Sequence, residues 1–482
     1  CQDTDGVTAT VTELATGTAC TIRAAYAVGA DGARSTVREA MGARMSGSHA
    51  YAQHVNVVFR APALAEMMRR QPAIMYWLVN PESPGLTGPM DAGDRWFFMF
   101  ALPNGAPVPA LKARLDAAFG RAVEAEILVV DPWSAHSLIA DKYRDGRVIL
   151  AGDACHLHPP FGGYGMNLGL GDSVDLGWKL AAVLRGWGGP HLLDSYEAER
   201  RPVHRRVIEE AVANHALLPK DLTRPELEAE GAAGEAARAE VGALIAAGKE
   251  REFRSLGVVL GSRYADSPIT APDGSAPPED HPTRFTPSAH PGCRAPHLWL
   301  ADGRSLFDLF GPGFTLLVAD PAAREGARPF LDAARAASVP LDLADPGDPR
   351  LAALYAASLA LIRPDGHVAW RGARPTHAAA ILDRARGAGT TRKGTGMQDI
   401  GRRAAVIAGA AALLAGGTWP ASAQPAAFPS RPVRLLIGVP PGGAPDVAAR
   451  VMADRLSAAW RQPVVVDNRP AGNGSLAAHA LA

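Results

Sequence analysis

Lysine is nearly missing from this sequence. Only 6 of its 49 basic residues are Lys, and with 50 glycines and 40 prolines in 482 residues the bias is that of GC-rich coding rather than of arginine-based recognition. Neither sign of charge prevails, since Lys plus Arg and Asp plus Glu both number 49. A net charge of zero offers no electrostatic footprint for nucleic acid or an anionic membrane, so neither is expected as a partner. Cysteine is sparse as well. Cys1, Cys20, Cys155 and Cys293 stand far apart with no C-x-x-C, which argues against a disulfide framework and a zinc site and suits a reducing, cytoplasmic setting. No apolar run reaches the ~20 residues that a membrane-spanning helix needs. What remains, 47% hydrophobic and 20% charged, is the composition of a globular chain of two to four domains.

Residues 6–28 alternate as a β-hairpin, and a turn-rich segment then leads into a short helix ending near Gly42. Between about 50 and 140, strand patterns at 54–59, 74–79, 96–102 and 126–130 alternate with helical stretches at 62–69 and 109–119. That is a mixed, mostly antiparallel layer suited to covering a substrate. Trp77, Trp96, Phe97, Phe98 and Phe100 lie on it, and alternation sends some to the core and some toward a ligand, the core taking the larger share. A short apolar strand at 148–151, a Gly/Pro-rich loop to Gly165 and a helix from 167 to 184 follow in the order that builds cofactor sites. Long helices are expected at 191–218 and 225–250, then a Pro-rich linker at 266–292. Strands at 314–319, 357–362 and 368–371 with helices at 322–337 and 376–386 complete the pattern.

The richest stretch is Gly152-Asp153-Ala154-Cys155-His156-Leu157-His158-Pro159-Pro160-Phe161-Gly162-Gly163-Tyr164-Gly165-Met166-Asn167, running on through Asp172 and Asp175 to Trp178-Lys179-Leu180. A carboxylate at the end of a buried strand accepts hydrogen bonds from sugar hydroxyls. Glycines let a backbone approach a flat ring, and a helix opening at Met166-Asn167 aims N–H groups at it. Cys155, His156 and His158 have the chemistry of metal ligands, but their spacing inside such a loop favours packing, and no metal is expected. A second segment, Gly29-Ala30-Asp31-Gly32-Ala33-Arg34-Ser35-Thr36-Val37-Arg38, precedes it. A third, Tyr196-Glu197-Ala198-Glu199-Arg200-Arg201-Pro202, follows it and is read as packing.

Together these motifs resemble the para-hydroxybenzoate hydroxylase family of FAD-dependent aromatic hydroxylases, over about residues 1–388. The region holding Arg294-Ala295-Pro296-His297 and residues 362–371 is similar to its phenol and phenylpropionate hydroxylase branch. Tyr164, Ser173 and Asp175 depart from the family's usual Gln, Ala and Asn. The resemblance implies a flavin monooxygenase that uses NADPH or NADH and O2 to hydroxylate a small phenolic substrate. It implies FAD contacts from Asp31, Gly32, Arg38, Gly152, Asp153, Pro160, Gly163, Gly165, Met166 and Asn167. Asp153 would take ribityl or ribose hydroxyls, Asp31 would lie near the pyrophosphate, and Arg38 would tie the short helix to the same region. No residue stands out as the catalytic base. The family's opening strand and G-x-G-x-x-G, a unit of ~30 residues, do not appear, so the chain alone is expected to bind FAD weakly and to be inactive.

The fold expected is α/β and α+β multidomain. Residues 1–48 and 141–220 form a partial Rossmann-like FAD domain, and 49–140 the substrate sheet. Residues 221–292 are helical segment and linker, and 293–388 a thioredoxin-like domain without C-x-x-C, structural or homodimerising in role. Residues 389–423 read as linker and export signal, with Arg402-Arg403, an apolar run at 404–416 and Ala421-Ser422-Ala423. Residues 424–482 resemble the start of a periplasmic tricarboxylate receptor, whose Gly-rich loop before a helix suits a carboxylate. The charge changes at this seam, net +4 for 397–482 against −4 before it. Two neighbouring genes read as one is the expectation, with a carboxylate-binding receptor fragment as the alternative function.

Overall fold

The computed structural model describes residues 1–13, 16–68, 72–90, 93–375, 377–389, 429, 432–437 and 444–468. It divides into a large unit, residues 1–13 and 18–391, and a second unit that includes 392–482.

The large unit opens with the hairpin β1 (Val7–Thr12) and β2 (Ala19–Ala24), paired antiparallel. β3 (Ala27–Gly29) and the one-turn helix α1 (Thr36–Ala40) follow. The chain then enters a six-stranded sheet. Its elements are β4 (Met45–Arg60), α2 (Pro62–Met68), β5 (Tyr76–Leu78), β6 (Gly85–Pro89), β7 (Arg95–Leu102), α3 (Leu111–Phe119) and β8 (Glu126–Ala140). β6 carries Gly85, Gly88 and Pro89 and so has no strand signature in the sequence. It is nevertheless paired between β5 and β7, and glycine permits the close approach there, since a Cβ at Gly85 would lie 2.4 Å from the Phe98 ring.

After β9 (Arg144–Asp145) and β10 (Val148–Leu150) comes β11 (His156–Leu157), which joins the edge of the large sheet in the order β11-β8-β4-β7-β6-β5. β10 itself pairs in parallel with β3, Leu150 opposite Gly29. A parallel pair needs a crossover, and here strands β4 to β8 of the large sheet, with α2 and α3, serve as one. Three helices follow: α4 (Gly165–Leu184), α5 (Asp194–His215) and α6 (Gly231–Phe253). Pro202 sits inside α5, where it removes one hydrogen bond from the helix. The short α7 (Leu256–Leu260) leads into 261–305, which has no helix or strand beyond isolated bridges.

The last part of the large unit is β12 (Phe314–Val318), α8 (Arg328–Ala336), β13 (Leu341–Ala344), α9 (Arg350–Tyr355), β14 (Leu359–Ile362), β15 (Val368–Gly372) and α10 (Ala378–Ala385). The sheet order is β13-β12-β14-β15, with the first pair parallel and the others antiparallel. β13 was not expected from the sequence, since Leu341-Asp342-Leu343-Ala344 is too short and polar to register against the helices beside it. Its core packs Phe314, Leu316 and Phe330 against Trp178 and Trp187 from α4 and the turn after it.

In the second unit, β16 (Val433–Ile437), α11 (Ala444–Trp460) and β17 (Val464–Asn468) form one strand–helix–strand, the strands parallel. The export-signal segment 397–423, the apolar run 404–416 and the Gly-rich turn at 441–443 lie outside the described residues. No helix among the described residues is long and apolar enough to cross a membrane.

Candidate flavin and substrate site

Parallel pairing of β3 with β10 brings the two principal motifs side by side. Gly29 is needed there, because a Cβ would lie 2.7 Å from Val37 and 2.9 Å from Leu150. Beyond it Gly32 turns with φ +80°, and Ser35 caps α1 by accepting from the Arg38 N–H at 2.9 Å. Asp31 accepts from the Val37 N–H at 3.0 Å and from the Ser35 hydroxyl. Burial raises its carboxyl, but these hydrogen bonds outweigh that and hold it below the usual range. The buried Arg38 guanidinium donates to Ala33 O at 2.9 Å and to Ala154 O at 3.0 Å, joining the first loop to the second.

The second loop starts at Gly152, whose φ of +62° and approach to Gly169 let it pass against α4. Its N–H donates to Asp172 at 2.9 Å. Asp153 and Pro160 are exposed. Gly162 and Gly163 both take positive φ, +90° and +68°, and Gly163 has open space where a side chain would stand. α4 then begins at Gly165 without a side-chain cap, with Met166 and Asn167 exposed in its first turn and Asn167 donating to Gly163 O at 3.1 Å. Uncapped N–H groups beside a bare glycine backbone suit a flat ligand with carbonyl or anionic edges. His158 adds a second donor or acceptor. Its Nδ1 lies 2.8 Å from Pro159 O, while its buried Nε2 has no partner and lies 3.8 Å from where a Gly165 Cβ would be. These residues fit an isoalloxazine ring.

Behind the loop lies a hub the sequence did not reveal. The buried Asp172 carboxylate receives Arg200 Nε at 2.8 Å and His204 Nε2 at 2.7 Å on one oxygen, and Gly152 N–H and His156 Nε2 (3.2 Å) on the other. Burial pushes this carboxyl up, and His204, His156 and Arg200 more than reverse that, leaving it well below the ordinary range. His204 is pushed down to about 3, by burial first and then by His156. Its Nδ1 faces the Tyr143 hydroxyl at 2.8 Å, and the Tyr196 hydroxyl donates to Leu150 O at 2.9 Å. Cys155, His156, Asp172 and His204 place ligand atoms within 4.8 Å of one another. They do not fit a cation, because both Asp172 oxygens are already engaged and the Arg200 charge adjoins the site. Tyr196 and Arg200 belong to the segment read from sequence as packing; both are buried, and Arg200 in addition supplies the positive charge beside Asp172.

A second buried network ties α4 to the last sheet. Lys179 donates to Asp175 at 2.7 Å and to Glu199 at 2.6 Å. Arg363, at the β14–β15 turn, donates to Glu199 at 2.6 and 2.9 Å, to Asp175 at 3.0 Å and to Asp365.

The aromatic residues of the sheet divide by face. Trp96, Phe98 and Phe100 pack with Val55, Val57, Leu64 and Leu115 in the core under α2 and α3. Trp77, Phe97, Met99 and Trp133 lie half-buried on the other face, packed against the cluster of Leu86, Phe161 and Leu218, of which Phe161 belongs to the second loop. His54, opposite Trp133 in the sheet, stacks on it with ring centroids 4.5 Å apart.

Comparison with known proteins agrees with this geometry. Residues 1–211 match the FAD binding domain family and residues 288–388 the aromatic-ring hydroxylase C-terminal family. The chain is 37% identical over 336 residues to aklavinone 12-hydroxylase DnrF of Streptomyces peucetius, covering 67% of this chain and 64% of that protein. It is 35% identical over 391 residues to tetracenomycin B2 monooxygenase-dioxygenase of Streptomyces olivaceus, covering 77% of this chain and 67% of that protein. Among solved structures, the rebeccamycin biosynthetic enzyme RebC with reduced flavin superposes with TM-score 0.74 at 36% identity, covering 80% of this chain and 73% of that one. A ternary complex of aklavinone-11 hydroxylase with FAD and aklavinone superposes with TM-score 0.63 at 31% identity, covering 79% and 70%. The chain spans about two thirds of the length of the curated relatives it matches. It belongs to the FAD-binding aromatic-ring hydroxylases.

Proposed function

We propose that this protein is an FAD-dependent monooxygenase that hydroxylates a phenolic ring with NADPH or NADH and O2, on a polycyclic aromatic substrate. The observation that carries the reading is the facing of an aromatic sheet surface, Trp77, Phe97 and Trp133, onto Phe161 of a loop that fits a flavin. Relatives named for aklavinone and tetracenomycin support a fused-ring substrate over a single phenol. When bound, the flavin supplies electron transfer and oxygen activation. The protein's residues bind and orient. Met166 and Asn167 N–H groups hold the ring's polar edge, Asp153 takes sugar hydroxyls, Asp31 and Gly32 adjoin the pyrophosphate, and Arg38 keeps the two loops together. Phe161 and the sheet aromatics exclude water from the reacting ring. Residues 293–388 are read as a thioredoxin-like unit locking α4 in place, with homodimerisation a further role. The receptor-fragment alternative gains nothing from residues 433–468, a single strand–helix–strand of a kind common to many α/β proteins.

The test is an FAD titration followed by NAD(P)H oxidation with a panel of polycyclic phenols and mass spectrometry of the product. Phenol-dependent oxidation with gain of one oxygen is expected. Asp153→Ala should weaken FAD about tenfold to a hundredfold, the scale of one charge-assisted hydrogen bond. An unchanged affinity in Asp153→Ala overturns the assignment of the loop.

A further inference from the structure

The hydroxylation of a phenol is easier from its phenolate, so an enzyme of this class needs a route by which the hydroxyl proton leaves. None of the motifs supplies one. The sheet face that meets Phe161 does.

His54 lies on β4 among the residues directed to that face and is only 1% exposed. Its Nε2 is 2.9 Å from His215 Nε2 at the end of α5. His215 Nδ1 is in turn 3.2 Å from the Tyr51 hydroxyl, and Tyr51 is half-buried. The three groups thus form an unbroken hydrogen-bonded line from the interior toward solvent. At its inner end, His54 Nδ1 is buried without a hydrogen-bond partner. Buried polar atoms are rarely left unpaired, and those that are mark places where chemistry or a ligand completes the set. The surroundings identify the ligand's chemistry. His54 stacks on Trp133, and the ring of its partner His215 is 5.0 Å from Phe161, so the unpaired nitrogen belongs to a ring packed among aromatic side chains next to the loop that fits a flavin.

We propose that His54, His215 and Tyr51 are a proton relay: His54 Nδ1 takes the proton of the phenolic hydroxyl lying on the Trp77–Phe97–Trp133 face, and Tyr51 hands a proton to water. This rests on the function proposed above and adds to it the residue that activates the substrate. The transfer balances. The substrate O–H breaks as His54 Nδ1–H forms, and His54 Nε2–H passes to His215 Nε2. His215 Nδ1–H then passes to the Tyr51 oxygen, whose own proton leaves to solvent. Each imidazole ends neutral with its tautomer exchanged, so the relay itself carries no charge and the only one left in the interior is that of the phenolate.

The charged groups around the line favour this neutral form. Burial, then His215 and Lys220, push His54 down to about 4, and burial, Lys249 and Lys220 lower His215 against the opposing Asp221. Tyr51 is pushed up to about 12 by burial, so it conducts as a hydroxyl rather than as a phenolate. Both histidines therefore keep a free electron pair to accept a proton through the neutral range.

The experiment uses the FAD-loaded protein and alizarin, a polycyclic phenol whose absorbance moves to the red on ionisation. In the unmodified protein the bound dye should ionise at least about one pH unit lower than in buffer, a tenfold change in its constant. His54→Phe, which keeps the stacking on Trp133, should abolish that shift while alizarin and FAD still bind. Tyr51→Phe separates a relay from a structural role: the end point should match the unmodified protein, while the phenolate appears at least about tenfold more slowly after rapid mixing. Bound alizarin that ionises as in buffer, or equally in His54→Phe, overturns the relay and leaves the hydroxylase reading standing. Equal rates in Tyr51→Phe overturn Tyr51 as the outlet. Failure of the FAD-loaded protein to bind alizarin overturns the polycyclic-phenol reading and the relay with it.

Discussion

The guanidinium of Arg38 and the carbonyl of Ala154 meet at 3.0 Å although 116 positions separate them in the chain. Between them the polypeptide builds five of the six strands of the large sheet and returns. The contact sets the spacing of the two loops that fit the cofactor, because the same side chain also donates to Ala33.

Replacing Arg38 should therefore affect both stability and flavin affinity. Arg38→Ala leaves two loop carbonyls without their charged donor, for a loss of about 1.5–3 kcal/mol. Arg38→Lys reaches one of them and should recover part of the loss, because an ammonium lacks the forked geometry of the guanidinium. Denaturant unfolding and FAD titration of the two variants measure this. Equal affinity in all three proteins would show that the loops are held by other contacts.

Arg363 makes a different prediction. It is buried and holds Glu199, Asp175 and Asp365 from one guanidinium, while Lys179 contributes the other positive charge. Burial raises Asp175 strongly, and its attraction to Lys179 only partly opposes this, so Asp175 is the group of the network held nearest to neutrality. Arg363→Ala strands buried carboxylates and should cost about 3–5 kcal/mol. Asp175→Asn, the same shape without the charge, should cost far less. If thermal unfolding shows equal losses in both, Asp175 is ionised and the network is more highly charged than this account holds.

Acid should destabilise the protein well above the range in which ordinary carboxylates titrate. His204 in the native state is held down to about 3 and His54 to about 4, in each case by burial first. An unfolded histidine binds its proton near 6.5. Between those values the unfolded chain carries more protons than the folded one, so stability falls as pH drops from about 6.5 toward 3 and is flat above. The Asp172 carboxylate, held well below its unfolded value, contributes in the same direction once the pH passes under about 4. Urea unfolding midpoints across this interval test the claim, and His54→Phe should flatten part of the slope. A constant midpoint from pH 6.5 to 4.5 would contradict it.

Much of this protein was legible from residue types and their spacing. Glycines with positive φ, such as Gly32, Gly162 and Gly163, are conformational demands that only a few residues meet, so they mark the loops directly. The alternation of Trp96, Phe97 and Phe98 between faces follows from backbone periodicity, a local property. What stayed hidden depends on distances that periodicity does not contain. Asp172 becomes a hub only when α5 brings Arg200 and His204 against α4, and Arg363 becomes a lock only when the last sheet docks on that pair of helices. His54 and His215 are 161 positions apart and individually unremarkable, one in an alternating strand and one at a helix end. Their meaning as a pair comes from burial, which removes water from both, strengthens the bond between them and leaves one nitrogen unpaired. Local sequence determined most of the elements, though not β6 or β13, and the shape of the two glycine-bearing loops. Tertiary structure alone decided which charges and imidazoles share the dry interior, since desolvation acts on groups brought together in space, whatever their separation along the chain.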